Sequence, residues 1–373
     1  MDRLKKVIII GAGIIGLIFA KELSALNINC EIYESKPNVY KNADKASGIL
    51  SKNGLEKLGI DFSSSIENKI NGAIIHINNK KIRLEKTSTV AYIINRQKIV
   101  KVLYNELRNN KFIKFNFNKK IEKQELKKLK NNKNNIIVGA DGAVSAVASA
   151  FDFPKIKEYI LTYKTEYNNA KAANTNFVEL FFNNKLMPGF FAWVAPHSNS
   201  KIEIGIGISS NKKKNSRDIF NKFIEDKNIK QIIKNAKIKS QHASIIPIAI
   251  RKKTVIDNAI LIGDAAGQVK SSTGGGIIFG AMCAKIAAEI VHQNILENKP
   301  LKKYEKEWRK KYEFDLKMHR LLHNFYSRTN NKHLISILDF LKLLNMERII
   351  SKYGDMDSLV QTLKNIVTRK KQR

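Results

Sequence analysis

Three acidic residues follow apolar runs of the sequence and stand beside small residues. Glu34 ends the stretch CEIYE, Asp141 lies within NIIVGADGAVSAVA, and Asp264 lies within NAILIGDAAGQ. A carboxylate can accept hydrogen bonds from ligand hydroxyl groups, and neighbouring glycine and alanine let the ligand lie against bare backbone. Taken singly, Asp264 has another explanation, as the N-cap of the next helix. Three such acids in this order favour a ligand-binding role.

A glycine-rich turn precedes Glu34 by about twenty residues. The stretches KKVIII, GAGIIG and LIFAKELSALN predict a buried parallel strand, its turn and a helix, and CEIYE predicts a second strand. In such a unit Gly11, Gly13 and Gly16 bring backbone N–H groups against a pyrophosphate at the helix N-terminus. Glu34 is placed to accept hydrogen bonds from ribose hydroxyls. The spacing predicts a dinucleotide site, without separating FAD from NAD.

All three acid-bearing stretches together resemble the FAD-binding pattern of the aromatic-hydroxylase superfold. There an acid at the place of Asp264 holds the ribityl chain, and an arginine at the place of Arg96 commonly meets the cofactor. A solvated arginine at a helix start is the alternative for Arg96. The resemblance implies FAD as the cofactor and identifies no catalytic side chain, and we expect no metal site. The expected FAD-binding residues are Gly11, Gly13, Ile15, Gly16, Glu34, Ala46, Ser47, Arg96, Asp141, Gly142, Asp264, Gly267, Gly275, Gly276 and Ile277.

The segments that position these residues show two kinds of sequence pattern. Alternating apolar stretches after residue 153, such as NFVELFFNN, GFFAWVAP and KIEIGIGIS, predict a largely antiparallel sheet with one helix from about Ser216 to Lys239. INGAIIHINNKKIRLEK predicts a hairpin of the same sheet. The fold class is therefore α/β, with a discontinuous Rossmann-like FAD-binding domain, an inserted sheet domain for the substrate, and a helical C-terminal region. The expected boundaries are 1–68, 88–152 and 252–298 for the FAD-binding domain, 69–87 and 153–251 for the sheet domain, and 299–373 for the C-terminal region.

Three further stretches are similar to those of the geranylgeranyl reductase family, and favour its archaeal lipid branch. They are KASGILSKNGLEKLGI, MPGFFAWVAPHSNSKIEIGIGI and GDAAGQVKSSTGGGI, and the similarity reaches about Ser327. It implies an FAD-dependent oxidoreductase that saturates geranylgeranyl double bonds of archaeal-type membrane ether lipids or their precursors. Such a site needs an apolar groove that excludes water. Candidate walls, for each of which ordinary sheet core is the alternative, are Phe181, Phe190, Phe191 and Trp193.

This sequence departs from the family pattern at several places. A cysteine that many members carry is replaced at Ala46 or Ser47, a usual proline is Ser271, and an aromatic residue is Ala195. Two other functions stay open: a flavin-dependent monooxygenase of the same superfold, and a non-catalytic FAD-containing lipid-binding protein. The triple glycine and the missing histidine after GDAA argue against the monooxygenase. The electron donor is expected to be external, and the sequence leaves open NAD(P)H or a ferredoxin-like protein.

Composition sets the remaining bounds. The chain has 373 residues, of which 43% are hydrophobic, so it can bury one large core or two modest ones. Its first twenty residues resemble a signal peptide, but three glycines interrupt the apolar run and a strand followed by a helix explains it better. The net charge of +34 is spread along the chain, which indicates a diffuse basic surface or attraction to anionic lipid rather than nucleic-acid binding. We expect a cytoplasmic protein, with peripheral contact to the inner face of the membrane.

Overall fold

The computed structural model describes residues 5–40 and 47–370, without the side chains of 367–370. Its strands are β1 (Lys6–Ile10), β2 (Cys30–Tyr33), β3 (Ile49–Ser51), β4 (Ile66–Ile70), β5 (Gly72–Ile77), β6 (Lys80–Glu85), β7 (Ala91–Ile94), β8 (Ile113–Asn116), β9 (Asn135–Gly139), β10 (Tyr159–Asn168), β11 (Phe177–Phe182), β12 (Ala192–Pro196), β13 (Lys201–Ser209), β14 (Lys237–Pro247), β15 (Val255–Ile256) and β16 (Ala259–Leu261). Its helices are α1 (Ile14–Ala25), α2 (Lys52–Leu58), α3 (Arg96–Leu107), α4 (Lys123–Asn131), α5 (Ala146–Ala150), α6 (Ser216–Phe223), α7 (Lys227–Ile233), α8 (Ile277–Glu297), α9 (Lys303–Trp308), α10 (Phe314–Arg328), α11 (Asn331–Leu343), α12 (Met346–Tyr353) and α13 (Leu359–Lys370).

The chain forms two compact units, each built from separated segments. The first unit comprises Met1–Asp44, Arg96–Lys157 and Pro247–Leu316. The second unit comprises Lys45–Asn95, Glu158–Ile246 and Lys317–Arg373. None of the helices in the described part of the chain is both long enough and apolar enough to cross a bilayer.

The first unit contains a six-stranded sheet in the order β15-β16-β9-β1-β2-β8. Strand β1 pairs in parallel with β2 and β9, and β9 pairs in parallel with β16. Parallel strands are covered on both faces and read as continuous apolar runs, as Val7, Ile8, Ile9 and Ile10 do here. Because these four strands are parallel, their carboxyl ends meet at one edge of the sheet. The segments that follow them carry the glycine turn and the three acids.

The second unit contains a seven-stranded sheet in the order β14-β10-β13-β12-β11-β5-β6. The pairs β10–β13, β12–β13, β11–β12 and β5–β6 are antiparallel and the β5–β11 pair is parallel, which confirms a largely antiparallel sheet. Helix α6 packs its buried Ile219, Phe220 and Phe223 against one face, together with the isoleucines of β13. The single helix expected from Ser216 to Lys239 is wrong, since it is two short helices, and Lys237 already begins β14.

The units differ from the expected domain boundaries. Residues 45–68 and 88–95 belong to the second unit, where β3, β7 and β4 form a separate three-stranded sheet. Residues 317–373 are also part of that unit, and His323 Nε2 lies 2.9 Å from the carbonyl oxygen of Gly189. These differences have one physical cause. Strand pairing and helix packing join residues that are far apart in the chain, and local sequence patterns do not specify which residues meet.

Candidate functional site

The glycine turn between β1 and α1 combines tight packing with open space. Gly11 has φ +104°, and a Cβ there would lie 2.5 Å from the carbonyl oxygen of Ala140. A Cβ at Gly16 would lie 2.1 Å from the carbonyl oxygen of Gly11. Gly13 is different, because it is exposed and a Cβ there would meet no atom within 4 Å. Two glycines therefore allow close backbone packing, and the third leaves a surface that a ligand can approach.

Glu34 follows β2 and is tied to this turn by hydrogen bonds. Its Oε2 accepts from the backbone N–H of Ala12 at 3.0 Å, and its Oε1 accepts from the backbone N–H of Lys36 at 3.0 Å. The side chain is only half-buried. The structure thus holds the carboxylate in place beside the glycine turn and leaves part of it accessible, as the binding of a ribose requires.

Asp141 follows β9 and has two different carboxylate oxygens. Its Oδ2 accepts from the backbone N–H of Val147 at 3.1 Å, in the first turn of α5. Its Oδ1 is buried and has no hydrogen-bond partner among the described residues. Burial raises the pKa of this carboxyl. Gly142, the next residue, has φ +80° and open space at its Cβ position. A buried acceptor without a partner next to open space is suited to a ligand hydroxyl.

Asp264 lies in the turn after β16, within the 3₁₀ segment Gly263–Ala266. Its Oδ1 would lie 2.7 Å from a Cβ at Gly276, so the carboxylate rests directly against that glycine. Burial raises the pKa of Asp264, and the charge of Arg96 at the start of α3 lowers it. The capping alternative is wrong for α8, because its N-cap is Gly276 and no side chain caps it. Arg96 therefore acts electrostatically on the same carboxylate.

Several other expected FAD-binding residues serve packing in the structure. A Cβ at Gly267 would lie 2.2 Å from the carbonyl oxygen of Ala249, and one at Gly275 would lie 2.9 Å from Cε of Lys270. The side chain of Ile15 lies close to Gly263 and Gly280, which leaves its backbone N–H as the group that could meet a cofactor.

Three expected positions remain. Ile277 is the first residue of α8. Ser47 is part of the second unit, and Ala46 lies outside the described residues.

The residues of the first unit fit FAD. The open surface at Gly13 suits a pyrophosphate at the N-terminus of α1, and a carboxylate fixed at Glu34 suits the ribose. Asp141 offers an acceptor oxygen that no described residue uses, and Asp264 offers a buried carboxylate between Arg96 and α8. These groups follow the adjacent parallel strands β1, β2, β9 and β16, which gather them at one edge.

The four aromatic residues expected to line a groove do not share one surface. Phe181 stands opposite Ala192 in the β11–β12 pair, and directly opposed residues share a face. That face is covered by α6, where Phe181 meets Phe223 at a ring-centroid distance of 5.3 Å. Phe191 and Trp193 flank Ala192 and therefore point to the other face. Phe181 is a packing residue, and the expectation that it joins the others is wrong.

The other three rings form a buried cluster with α10. Phe190 stacks on Phe191 at a centroid distance of 4.2 Å, and Phe191 meets Trp193 edge-on at 6.4 Å. Tyr326 contacts both phenylalanines. Phe190 is fully buried at 1% exposure, whereas Trp193 retains 8%. The sheet-core alternative thus describes Phe190 best, and Phe191 and Trp193 stay candidates for a substrate surface.

A buried charge pair beneath this cluster was not anticipated from the sequence. Glu203 is completely buried, and its Oε1 accepts from Nε1 of Trp193 at 2.8 Å. Its Oε2 accepts from Nζ of Lys164 at 2.7 Å, and Lys164 is 3% exposed. A Cβ at Gly205 would lie 2.2 Å from the indole ring, so glycine is needed for the ring to lie there. The available signal was the single acid inside the apolar strand KIEIGIGIS.

A second set of charged groups extends from this pair. His197 Nδ1 lies 2.6 Å from Glu67 Oε2, and Lys201 donates to Glu67 at 2.9 Å. Burial would raise the pKa of Glu67, but the hydrogen bonds of His197 and Lys201 hold it well below its usual range. The described residues contain no group of side chains able to hold a metal ion. Glu67, His197 and Lys201 thus extend the Lys164–Glu203 pair into an ionic network.

A family model for the geranylgeranyl reductase catalytic domain matches residues 158–245, and one for pyridine nucleotide-disulphide oxidoreductases matches residues 6–85. A digeranylgeranylglycerophospholipid reductase of Methanosarcina acetivorans is 26% identical over 93% of this chain and 91% of its own length. An uncharacterised protein of Methanocaldococcus jannaschii is 29% identical over 94% and 92%.

A solved structure shows the same fold. The geranylgeranyl bacteriochlorophyll reductase-like protein of Thermoplasma acidophilum superposes with a TM-score of 0.81, covering 99% of this chain and 98% of its own, at 18% identity. A flavin-dependent brominase superposes less closely, with a TM-score of 0.68.

Proposed function

Because the chain belongs to the geranylgeranyl reductase family of FAD-dependent oxidoreductases, we propose that it saturates double bonds in the geranylgeranyl chains of archaeal-type membrane ether lipids or their precursors. One observation carries this proposal. The buried ring cluster of Phe190, Phe191 and Trp193 lies within residues 158–245, the segment that matches the geranylgeranyl reductase catalytic domain. An isoprenoid chain offers only apolar surface, so rings and aliphatic side chains are the groups that can recognise it.

Saturation of a double bond adds a hydride, which bound reduced FAD would supply, to one alkene carbon and a proton to the other. The residues of this chain then have two tasks, which are to hold the cofactor and to keep water away from the reacting carbons. The first task falls to the turn at Gly13 and to Glu34, Asp141 and Asp264. The uncapped N-terminus of α8, next to Asp264, adds backbone N–H groups and a positive dipole end that favours negative charge.

Exclusion of water depends on the charge pair beneath Trp193. An unpaired buried carboxylate would draw water into the cluster, because leaving it unsolvated costs several kcal/mol, of the order found for buried ions. Both oxygens of Glu203 are satisfied, one by the indole N–H and one by Lys164. Glu203 therefore fixes the orientation of the indole ring while the ring face stays apolar. In this proposal Trp193 and Phe191 contact the lipid chain, and Glu203 is a positioning residue.

A lipid substrate also implies that the enzyme acts at a membrane surface. Moving a chain of about twenty carbons into water would cost about 0.8 kcal/mol per CH₂ group, which adds up to more than ten kcal/mol. We therefore propose that the enzyme meets its substrate at the interface. The net charge of +34 supports docking on anionic lipid, which weakens as salt screens it.

The test is a turnover assay with purified FAD-loaded protein. The flavin is reduced chemically, so that no electron donor has to be assumed, and a geranylgeranyl-chain ether lipid is added without oxygen. Mass spectrometry should show a gain of two hydrogens for each reduced bond. A gain of one oxygen atom when air is admitted would instead support a monooxygenase. Bound FAD without any lipid product under either condition would support a non-catalytic lipid-binding protein.

The variant that tests the aromatic contact is Trp193→Phe. Because Trp193 is buried and bonded to Glu203, removal of the whole side chain to alanine would cost about 3–5 kcal/mol and confuse folding with function. Phe181→Leu is the matched control, since it changes an aromatic residue of the same sheet on the opposite face. We expect Trp193→Phe to slow lipid reduction with FAD content unchanged, and Phe181→Leu to leave the rate near that of the wild type. Equal rates for the two variants would remove Trp193 from the substrate site.

A further inference from the structure

The exposed hydrophobic side chains of the described chain are concentrated near its C-terminus. Of thirteen large hydrophobic residues that are exposed, eight lie between Leu321 and Leu363. Six of these eight belong to α10 and to the end of α11. We name them the α10 stripe, consisting of Leu321, Leu322 and Phe325, and the α11 stripe, consisting of Phe340, Leu343 and Leu344.

Helix α10 is apolar on two opposite sides. Its inner side is buried and carries His323, which bonds to the carbonyl oxygen of Gly189, and Tyr326 in the aromatic cluster. The residues of the α10 stripe are spaced three and four apart, so they share one side of the helix. Leu321 is 60% exposed and Phe325 is 50% exposed. A helix with one packed side normally has a polar opposite side, and here that side also carries three exposed apolar side chains.

The α11 stripe repeats the arrangement. Leu334 and Leu338 are buried at 6% and 3% exposure and face the second unit. Phe340 and Leu343 are three residues apart on the other side of the helix, and Leu343 is 78% exposed. Asn184 joins the two helices, because its side-chain amide donates to the carbonyl oxygen of Tyr326 in α10 and its backbone N–H donates to Oδ1 of Asn331, the first residue of α11. Both stripes therefore belong to one connected part of the second unit.

Basic residues accompany both stripes. Residues 317–373 contain twelve lysines and arginines but four acidic residues. Lys317 and Arg328 stand four residues before Leu321 and three residues after Phe325, which places them beside the α10 stripe. On α11, Lys342 directly precedes Leu343, and Lys332 lies in the first turn of the helix. An apolar helix side bordered by cations is the arrangement that lies in the headgroup region of an anionic bilayer.

We infer that the α10 and α11 stripes are the surface by which this protein docks on anionic membranes, with their leucine and phenylalanine side chains inserted among the lipids. The inference rests on the proposed lipid substrate and names the surface that would bring the enzyme to it. A second copy of the chain fits less well, because two such basic surfaces would repel each other in a symmetric pair.

The experiment is vesicle co-sedimentation of the FAD-loaded full chain. Vesicles of phosphatidylcholine, with and without phosphatidylglycerol, are compared at low and high salt. The double variant Leu321→Ser/Phe325→Ser should bind the anionic vesicles about tenfold more weakly, or worse, because it removes two inserted side chains. Ile238→Ser is the matched control, since Ile238 is likewise 60% exposed but lies on β14. It should bind like the wild type.

Four results would overturn the inference. The first is that the double variant binds like the wild type at unchanged FAD content and melting temperature, and the second is that Ile238→Ser loses binding to the same extent. The third is that the wild type binds neutral vesicles as well as anionic ones. The fourth is that the wild type forms a dimer without lipid and the double variant does not. If the double variant loses both vesicle binding and FAD, the loss of binding could come from misfolding. Leu343→Ser then decides, because it should also weaken vesicle binding and it lies on a different helix. Binding is read without turnover, so docking through the stripes without lipid reduction would refute the proposed activity and leave this surface standing.

Discussion

Replacing Gly13 and Gly16 separately by alanine should separate cofactor binding from folding. The two glycines are three residues apart in one turn, yet their surroundings are opposite. A Cβ at Gly13 meets no atom within 4 Å, and its φ of −72° suits any residue. A Cβ at Gly16 would lie 2.1 Å from the carbonyl oxygen of Gly11, which is far inside van der Waals contact.

The magnitudes follow from these surroundings. Gly13→Ala should leave the free energy of unfolding of the FAD-free protein unchanged or raise it by about 0.4–1 kcal/mol, since alanine restricts the unfolded chain. Gly16→Ala should lower it by about 1–3 kcal/mol, because backbone atoms have to move. For a domain of this size that corresponds to a fall in melting temperature of about 2–4 °C per kcal/mol.

For FAD binding we expect the larger direct effect from Gly13→Ala, the variant that leaves the fold intact. The added methyl group at Gly13 occupies the surface that we assign to the pyrophosphate, so FAD affinity should fall at least about tenfold, or ~1.4 kcal/mol. The assay is thermal unfolding of FAD-free protein by circular dichroism, paired with FAD titration followed by flavin fluorescence. If Gly13→Ala binds FAD as tightly as the wild type, the cofactor does not approach this turn. If Gly16→Ala melts like the wild type, the packing argument for that glycine is refuted.

Three further outcomes are expected. Asp264→Ala removes a charged acceptor worth about 1.5–3 kcal/mol, so FAD titration should show a dissociation constant one to two decades higher, and an unchanged constant would contradict its role. Glu203→Gln removes the nearer of two carboxylates that pair with Lys164 and leaves Glu166 at 3.6 Å, so the free energy of unfolding in urea should fall by about 3 kcal/mol, whereas an unaltered midpoint would show that the Lys164–Glu203 pair is not needed. Glu67 has a depressed pKa in the folded state, so its contribution to stability is present above its unfolded pKa of about 4.3 and is lost as the pH falls through the folded value. Urea unfolding of Glu67→Gln should therefore differ most from the wild type near neutral pH and converge with it in acid, and a constant difference across this range would refute the assignment.

The cofactor half of the site could be predicted from the sequence because its signals are local. An apolar strand, a glycine turn and an acid lie within a few residues of each other at Gly11, Asp141 and Asp264. Parallel strands then place the ends of these segments at one edge of the sheet, whatever the rest of the chain does. The glycines that only allow packing, such as Gly267, could not be distinguished from the open Gly13. That distinction depends on atoms contributed by distant residues, here the carbonyl oxygen of Ala249.

The composition and periodicity of the sequence by themselves determined the α/β class, a dinucleotide-binding turn and the mainly antiparallel second sheet, and the resemblance to the aromatic-hydroxylase superfold added FAD as the cofactor. The tertiary structure alone decided which residues share a face and which segments share a unit. Phe181 and Trp193 both look like groove residues in the sequence, but pairing with Ala192 turns Phe181 toward α6. The indole of Trp193 is held instead by Glu203, ten residues away across a hairpin. The physical reason is that a strand has two faces, and its side chains are assigned to them by register with neighbouring strands, which a single segment does not contain.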